Sequence, residues 1–272
     1  MRLLIFGLGY TAQRIAAQAR MLGCSVAATG SAGTIAFDDA EAVAHAIATS
    51  THILSSDPPA NDADPVLAAY GDLFADQWLG YLSSTGVYGD AGGAWVDESA
   101  AISGRRQGRN AADAAWLARG GRVFRLPGIY GPGRSPLDRV ASGAAHLTGL
   151  TDQVFSRVHV DDIASGVIAG LAGPPGAYNL ADDRPCPQDE VILHAARLLG
   201  LPPPAVVPVE SLPPQARAFY AENRRVANAK ARRVLGWRPR YPDYRFGLRA
   251  LNAMTSPTSA STPPATASSD QR

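Results

Sequence analysis

Hydrophobic positions recur along this chain in short runs. Leu3-Leu4-Ile5-Phe6 is broken by Gly7-Leu8-Gly9, and from Thr11 onward Ile15, Ala16, Ala19 and Leu22 follow at helical spacing. The opening therefore reads as strand, tight turn and helix, with Gly23 as C-cap. Apolar or β-branched runs at 25–29, 34–37, 52–56, 78–84 and 122–126 predict further strands, separated by Ala-rich helical segments such as 39–49 and 110–118. Strands alternating with helices build βαβ units whose crossovers cover both faces of a mostly parallel sheet. The expected class is α/β, a doubly wound parallel sheet.

The pattern changes after Leu126. Pro127-Gly128-Ile129-Tyr130-Gly131-Pro132-Gly133 is too rich in Gly and Pro to continue strand or helix. Beyond it, 154–160 alternates like a strand, Asp161 with Asp162 beside it is placed to N-cap an apolar helix through Ala172, and 176–180 reads as a strand returning to the main sheet. Proline clusters at 202–204 and 213–214 punctuate a smaller helical subdomain. The expected division is 1–130 as main domain and 131–252 as subdomain, with 154–182 returning to the main domain. The last stretch, 253–272, is made largely of Ser, Thr, Pro and Ala and is expected to be a disordered tail.

At 272 residues and 46% hydrophobic composition the chain can bury one large core or two small ones. A net charge of +1 argues against a dedicated nucleic-acid or membrane-surface protein, but it conceals an asymmetry. Residues 21–104 carry 11 carboxylates and no Lys or Arg, whereas 105–272 carry 22 basic against 13 acidic groups. Cys24 and Cys186 make neither a disulfide framework nor a zinc spacing, no histidine pair has metal spacing, and no run of about 18 apolar residues occurs. The opening also lacks the charged region of a signal peptide. A cytoplasmic protein without metal, membrane or nucleic-acid partner is expected. Of the 25 basic residues only Lys230 is a lysine, so chemistry that needs one must use it.

Gly7-Leu8-Gly9-Tyr10-Thr11-Ala12 fits G-x-G-x-x-A, placed between a strand and a helix. The first glycine makes the turn, the second lets the backbone approach a pyrophosphate, and the small third residue packs helix on strand. The helix N-terminus then offers amides and dipole charge to the phosphates. The motif predicts NAD or NADP. An NAD enzyme usually carries an acid about 20 residues on, to accept from the adenosine ribose. Here that place holds Thr29-Gly30-Ser31, no acid precedes Asp38, and no basic residue lies between Arg20 and Arg105. The hydroxyls of Thr29 and Ser31 suit either cofactor and Arg14 is a remote candidate for a 2′-phosphate, so the preference stays open.

The run Tyr81-Leu82-Ser83-Ser84-Thr85-Gly86-Val87-Tyr88-Gly89 resembles the fifth-strand signature of the extended short-chain dehydrogenases/reductases, the NAD-dependent epimerase/dehydratase group. Segments 124–133, 158–164, 178–181 and 231–239 agree with it in family order, so the resemblance spans residues 1–250. It implies a Rossmann cofactor domain and a smaller, mainly C-terminal substrate subdomain whose cleft in relatives often holds a nucleotide sugar. It also implies NAD(P) contacts from Gly7, Gly9, Tyr10, Thr11, Ala12, Thr29, Ser31, Ser55, Ser84, Arg109 and Pro127. In that family a Ser, matched by Ser84, orients the reacting hydroxyl, and a Tyr-x-x-x-Lys pair moves its proton. The pair is missing here: Arg105 takes the tyrosine place and Arg109 the lysine place. A guanidinium with a pKa above about 12 does not exchange protons near neutrality, though Arg109 can hold a ribose or phosphate as a fixed cation. Thr85-Gly86 stand where the dehydratase branch carries Asp-Glu, which disfavours sugar dehydration. The combination resembles the atypical, YeeZ-like branch.

Tyr88 is the remaining candidate proton carrier, against a role as pocket wall. Asp97-Glu98 faces either substrate or solvent, and His159 is either a cleft acid/base or a structural histidine. Among the arginines of the cationic half, Arg224 and Arg225 are the substrate-binding candidates, because guanidinium forks suit phosphates; Arg217, Arg232, Arg233 and Arg238 equally fit a solvated helix face. Two functions follow. One is an NAD(P)-dependent oxidoreductase or epimerase acting on an anionic, nucleotide-linked sugar through Ser84 and Tyr88. The other is a non-catalytic NAD(P)-binding sensor or scaffold.

Overall fold

The computed structural model describes residues 1–60 and 63–255. In chain order the main body comprises β1 (Arg2–Phe6), α1 (Tyr10–Met21), β2 (Ser25–Ala28), α2 (Ala40–Thr49), β3 (His52–Ser55), α3 (Pro65–Tyr70), β4 (Trp78–Ser84), a short β5 (Trp95–Val96), α4 (Gln107–Ala118) and β6 (Arg122–Leu126). There follow β7 (Gly128–Tyr130), α5 (Pro136–Ala141), β8 (Val154–Phe155), β9 (Arg157–His159), α6 (Val160–Gly170) and β10 (Gly176–Asn179). The rest is β11 (Cys186–Pro187), α7 (Gln188–Leu199), α8 (Pro214–Arg217), β12 (Arg225–Val226), α9 (Ala229–Val234) and α10 (Tyr244–Thr255).

Six strands form one parallel sheet in the order β10-β6-β4-β3-β1-β2. Why it is covered on both sides is visible in β1. Leu3 and Ile5 point into a core with α1 and α6, while Leu4 and Phe6 point into a second core with α2, α3 and α4. Side chains alternate across a strand, so a fully apolar strand needs two apolar layers. β4 repeats the device, with Trp78 and Leu82 on one face and Leu79 and Tyr81 on the other; Gly80 leaves room for the Trp78 ring. The buried face of α1 is Ala12, Ile15, Ala16 and Ala19, small enough for close packing on α6. Strands β2 and β3 flank β1 on opposite sides, so the carboxyl ends of β1 and β3 border the crevice where doubly wound sheets bind ligands.

Several boundaries differ from expectation. Residues 34–37 form no strand: only Ile35 bridges to Thr29, and Phe37 leaves the sheet to pack against Phe6 and Tyr70 and to accept the Tyr70 hydroxyl at its carbonyl. The run 154–160 splits into β8 and β9, which pair with β11 and β7. The α6 cap is His159 rather than Asp161: its ring Nδ1 accepts from the Asp161 amide at 3.2 Å. Asp162 is buried in the first turn and accepts from the Arg240 and Tyr241 amides, at 2.6 and 3.0 Å. At the other end α10 carries helix through Thr255, into the stretch expected to be a disordered tail; residues 256–272 lie outside the described residues. No helix among the described residues is long and apolar enough to cross a membrane.

Candidate functional site

The glycine turn leaves β1 and enters α1 with its amides outward. Gly7 sits at φ +81°, where a side chain is strained, and its amide donates to Thr29 Oγ1 at 3.2 Å. The Leu8 amide donates to the Thr29 carbonyl at 2.9 Å, so buried Thr29 shapes the turn from β2. Gly9 is the N-cap of α1 with an ordinary φ of −80° and no side-chain cap, which leaves the first helical amides without the usual partner. A Cβ built on Gly9 would meet nothing within 4 Å. Open space therefore faces uncapped amides at a helix N-terminus, and a diphosphate fits there by room and by charge.

The other expected cofactor contacts fall into groups. Thr11 reaches the cleft, whereas Ala12 is buried and serves helix packing. Tyr10 donates from its hydroxyl to the Pro132 carbonyl at 3.1 Å. Ser31 is exposed beyond Gly30, and Arg14 pairs with Asp161 at 3.4 Å. Ser55, level with Phe6 in the sheet, is fully buried and its Oγ has no partner. The sequence reading missed Asp57. Its half-buried carboxylate packs against Gly7, where a Cβ would contact it, and no cation pairs with it among the described residues. Burial, and then the charge of Asp64, raises its pKa. The available signal was an acid two residues past a buried strand at the sheet's switch point.

A cleft of about 750 Å³ opens beside this turn, reaching from Thr11 and Ser56 across Ser84, Arg109 and Pro127 to the subdomain. Seven arginines line it, namely 105, 106, 109, 134, 139, 157 and 224, and Glu222 is the one carboxylate among the lining residues. Ser84 Oγ accepts from the Gly86 amide at 3.1 Å, so its own O–H is left to donate. His146 and Tyr220 also line the cleft and escaped the sequence reading as proton carriers. Burial raises the pKa of Tyr220, and Asp189 adds to it.

Tyr88 does not join this cleft. Its hydroxyl donates to Asn179 Oδ1 at 2.8 Å and accepts from Arg125 at 3.0 Å, with the guanidinium 5.0 Å from its ring centre. Arg125 in turn makes two hydrogen bonds to Asp113, at 2.7 and 3.0 Å, and Ser83 donates to the same carboxylate at 2.6 Å. All of these groups are buried. Burial raises the Tyr88 pKa in spite of Arg125, so the geometry assigns it to structure and corrects the expectation of a proton carrier.

The remaining candidates separate as clearly. Arg224 lines the cleft and donates to the Gly89 carbonyl and to Glu222, both at 2.6 Å. Arg225 points the other way, to the Gly93 carbonyl beside the β12–β5 pair, which corrects its assignment to substrate. Glu98 accepts from the Asn179 amide at 2.7 Å and Asp97 caps Ser99. His159 is buried between Tyr130 and Tyr241. Lys230 lies over the Tyr178 ring, 5.0 Å from its centre. No cluster of metal-ligating side chains occurs among the described residues.

A six-stranded doubly wound sheet with a glycine turn at its switch point, opening into a cationic cleft, defines a Rossmann-type fold. No protein-family model matches the chain. It is 34% identical over 140 residues to the 3-diazoavenalumate denitrifying reductase of a Streptomyces species, over 47% of this chain and 46% of that protein, so it spans about half the length of the curated relative it matches. A solved structure of a functionally unknown conserved protein from Silicibacter pomeroyi is 41% identical with a TM-score of 0.83, covering 93% of this chain and 98% of that one. The UDP-glucose 4-epimerase of Thermus thermophilus, solved with NAD, shares the fold at a TM-score of 0.70 and 20% identity, covering 94% and 100%. The fold of an NAD-dependent epimerase thus extends over nearly the whole chain, and the Silicibacter pomeroyi protein is a relative along the same length.

Proposed function

We propose that the chain is an NAD(P)-dependent oxidoreductase or epimerase acting on an anionic, nucleotide-linked sugar. The single observation that carries this reading is a cleft with seven arginines and one carboxylate that runs into the glycine turn at Thr11. A nicotinamide dinucleotide, when bound, supplies or accepts a hydride. The chain's own part is to bind its diphosphate at the uncapped start of α1, in the space in front of Gly9. With no acid or base at the end of β2, the site accommodates NAD or NADP. Arg109, on the first turn of α4, offers a fixed cation to ribose or phosphate. Ser84 donates its hydroxyl hydrogen to the reacting oxygen of the substrate, and the arginines orient its anionic part.

Arg105 in the tyrosine place and the engaged hydroxyl of Tyr88 favour a second reading, a non-catalytic NAD(P)-binding sensor or scaffold. The two readings part in a panel of sugar nucleotides offered with NAD(P)H or NAD(P)+, followed by absorbance at about 340 nm for net oxidoreduction and by chromatography of the sugar nucleotide for epimerisation. The enzyme changes one of the two signals with at least one substrate, and Ser84→Ala abolishes the change while the dinucleotide still binds. Binding without turnover of any panel member selects the sensor. No stabilisation by any dinucleotide rejects both.

A further inference from the structure

Glu222 stands alone as a carboxylate in an arginine-lined cleft, and it is not idle there. Its Oε1 accepts from Arg105 Nε at 2.6 Å and its Oε2 accepts from Arg224 at 2.6 Å. The two arginines come from different parts of the chain. Arg105 precedes α4 of the main body, and Arg224 precedes β12 of the subdomain. Both are anchored a second time through their guanidinium nitrogens, Arg105 to the Ala218 carbonyl at 2.9 Å and Arg224 to the Gly89 carbonyl at 2.6 Å. The Glu222 backbone is pinned as well, since Gln153 donates to its carbonyl at 2.8 Å. Burial works against ionisation of Glu222, but the bonds from Arg105 and Arg224 outweigh it and hold the pKa below the usual glutamate range.

One carboxylate that gives each oxygen to a different guanidinium presents the contact a bound phosphate would make. We propose that Glu222 is a built-in occupant of the substrate's anion site, holding Arg105 and Arg224 in place in the empty cleft and yielding them to the diphosphate of a nucleoside diphosphate. The inference rests on the reading of this cleft as the substrate site. A ligand with a single carboxylate would only replace like with like and give up the advantage of an occupant tethered to the chain. A diphosphate brings more charge and more oxygens, with Arg106 lining the same cleft. Phe219, also in the lining and 70% exposed, offers a stacking face for a base. Arg105 thus has a use in the place where relatives carry tyrosine: it recognises charge instead of moving a proton.

The test is calorimetric titration of uridine diphosphate, and separately of inorganic pyrophosphate, into the full chain and into Glu222→Gln. The variant keeps shape and one acceptor but loses the charge, so it should bind both probes about tenfold more tightly than the parent, with nicotinamide-dinucleotide affinity unchanged. Equal or weaker binding by a folded variant would overturn the proposal and make Glu222 a structural brace. Should the variant fail to fold, a crystal structure of the parent with uridine diphosphate decides: the carboxylate has left both guanidinium groups, or it still bridges them and the proposal is wrong. Failure here is distinct from failure of the proposed function. Turnover of a sugar nucleotide without any effect of Glu222→Gln defeats the occupant alone. Tighter diphosphate binding in a protein that takes up no dinucleotide defeats the function alone.

Discussion

Replacing Gly9 by valine separates binding from folding. The free protein has nothing within 4 Å of the added Cβ, and the backbone there is at φ −80° and ψ −170°, which a β-branched residue adopts readily. Losing glycine at an N-cap costs about 0.5–1 kcal/mol. The branched side chain, however, fills the space in front of the first amides of α1. With a dinucleotide at 100 times its Kd the parent gains about 2.7 kcal/mol, which for a chain of this size is a rise in Tm of about 5–10 °C. Gly9→Val should lose that rise while its own Tm stays within a few degrees of the parent. Gly7→Ala makes the contrast. At φ +81° an alanine costs about 1–2 kcal/mol, and its Cβ collides with the Asp57 carboxylate, so the loss appears without any ligand. Thermal melts of the three proteins with and without NAD(H) and NADP(H) measure both effects. A Gly9→Val protein stabilised as much as the parent would refute the placement of the diphosphate.

Further outcomes are open to measurement. Arg125→Met leaves Asp113 buried and unpaired and should cost about 3–5 kcal/mol in urea unfolding, whereas the double change Asp113→Leu with Arg125→Met should recover part of it. Tyr88→Phe should cost about 1–3 kcal/mol of stability with dinucleotide affinity intact, because only interior partners lose a bond; a protein of parental stability would contradict the network. The start of α6 carries two opposed titrations. Burial lowers the His159 pKa to about 4, so the unfolded chain takes up that proton first and stability is lost as pH falls from about 6.5 to 4. Burial raises the Asp162 pKa to about 6, so there the folded protein takes up the proton first and stability is gained between pH 6 and about 4. His159→Asn should therefore flatten the loss on acidification and Asp162→Asn should steepen it, each by up to about 1.4 kcal/mol per pH unit. Urea melts at pH 7 and pH 5 check the sign, and shifts in the same direction would refute the assignment.

What the sequence disclosed was local or periodic. The alternation in β1 and the glycines at 7 and 9 are written in consecutive residues, and the sheet and the turn could be read from them. The error at 34–37 has a tertiary cause: Phe37 looks like a strand residue but is claimed by the Phe6 and Tyr70 rings instead of a ladder. Asp161 looked like a cap by composition, yet the preceding histidine makes the bond, because a ring nitrogen accepts as well as a carboxylate does. Tyr88 and Arg225 were misplaced for a related reason. Residues 84–86 and both neighbours of Arg225 line the cleft, and only the pairing of β12 with β5 and the position of Asn179 on the edge strand decide which way Tyr88 and Arg225 point. Asp57 meets Gly7, and Glu222 meets Arg105, across long separations in the chain, and no spacing rule reaches that distance.

Tyr10 joins the glycine turn to the segment that follows β7. It opens the helix that begins at the glycine turn, its hydroxyl holds the Pro132 carbonyl, Gly131 is packed beneath it, and the guanidinium of Arg134 lies 5.8 Å from its ring centre. Arg134 is part of the cleft wall. The amide end of that helix and one side of the cleft are thus held by the same aromatic side chain.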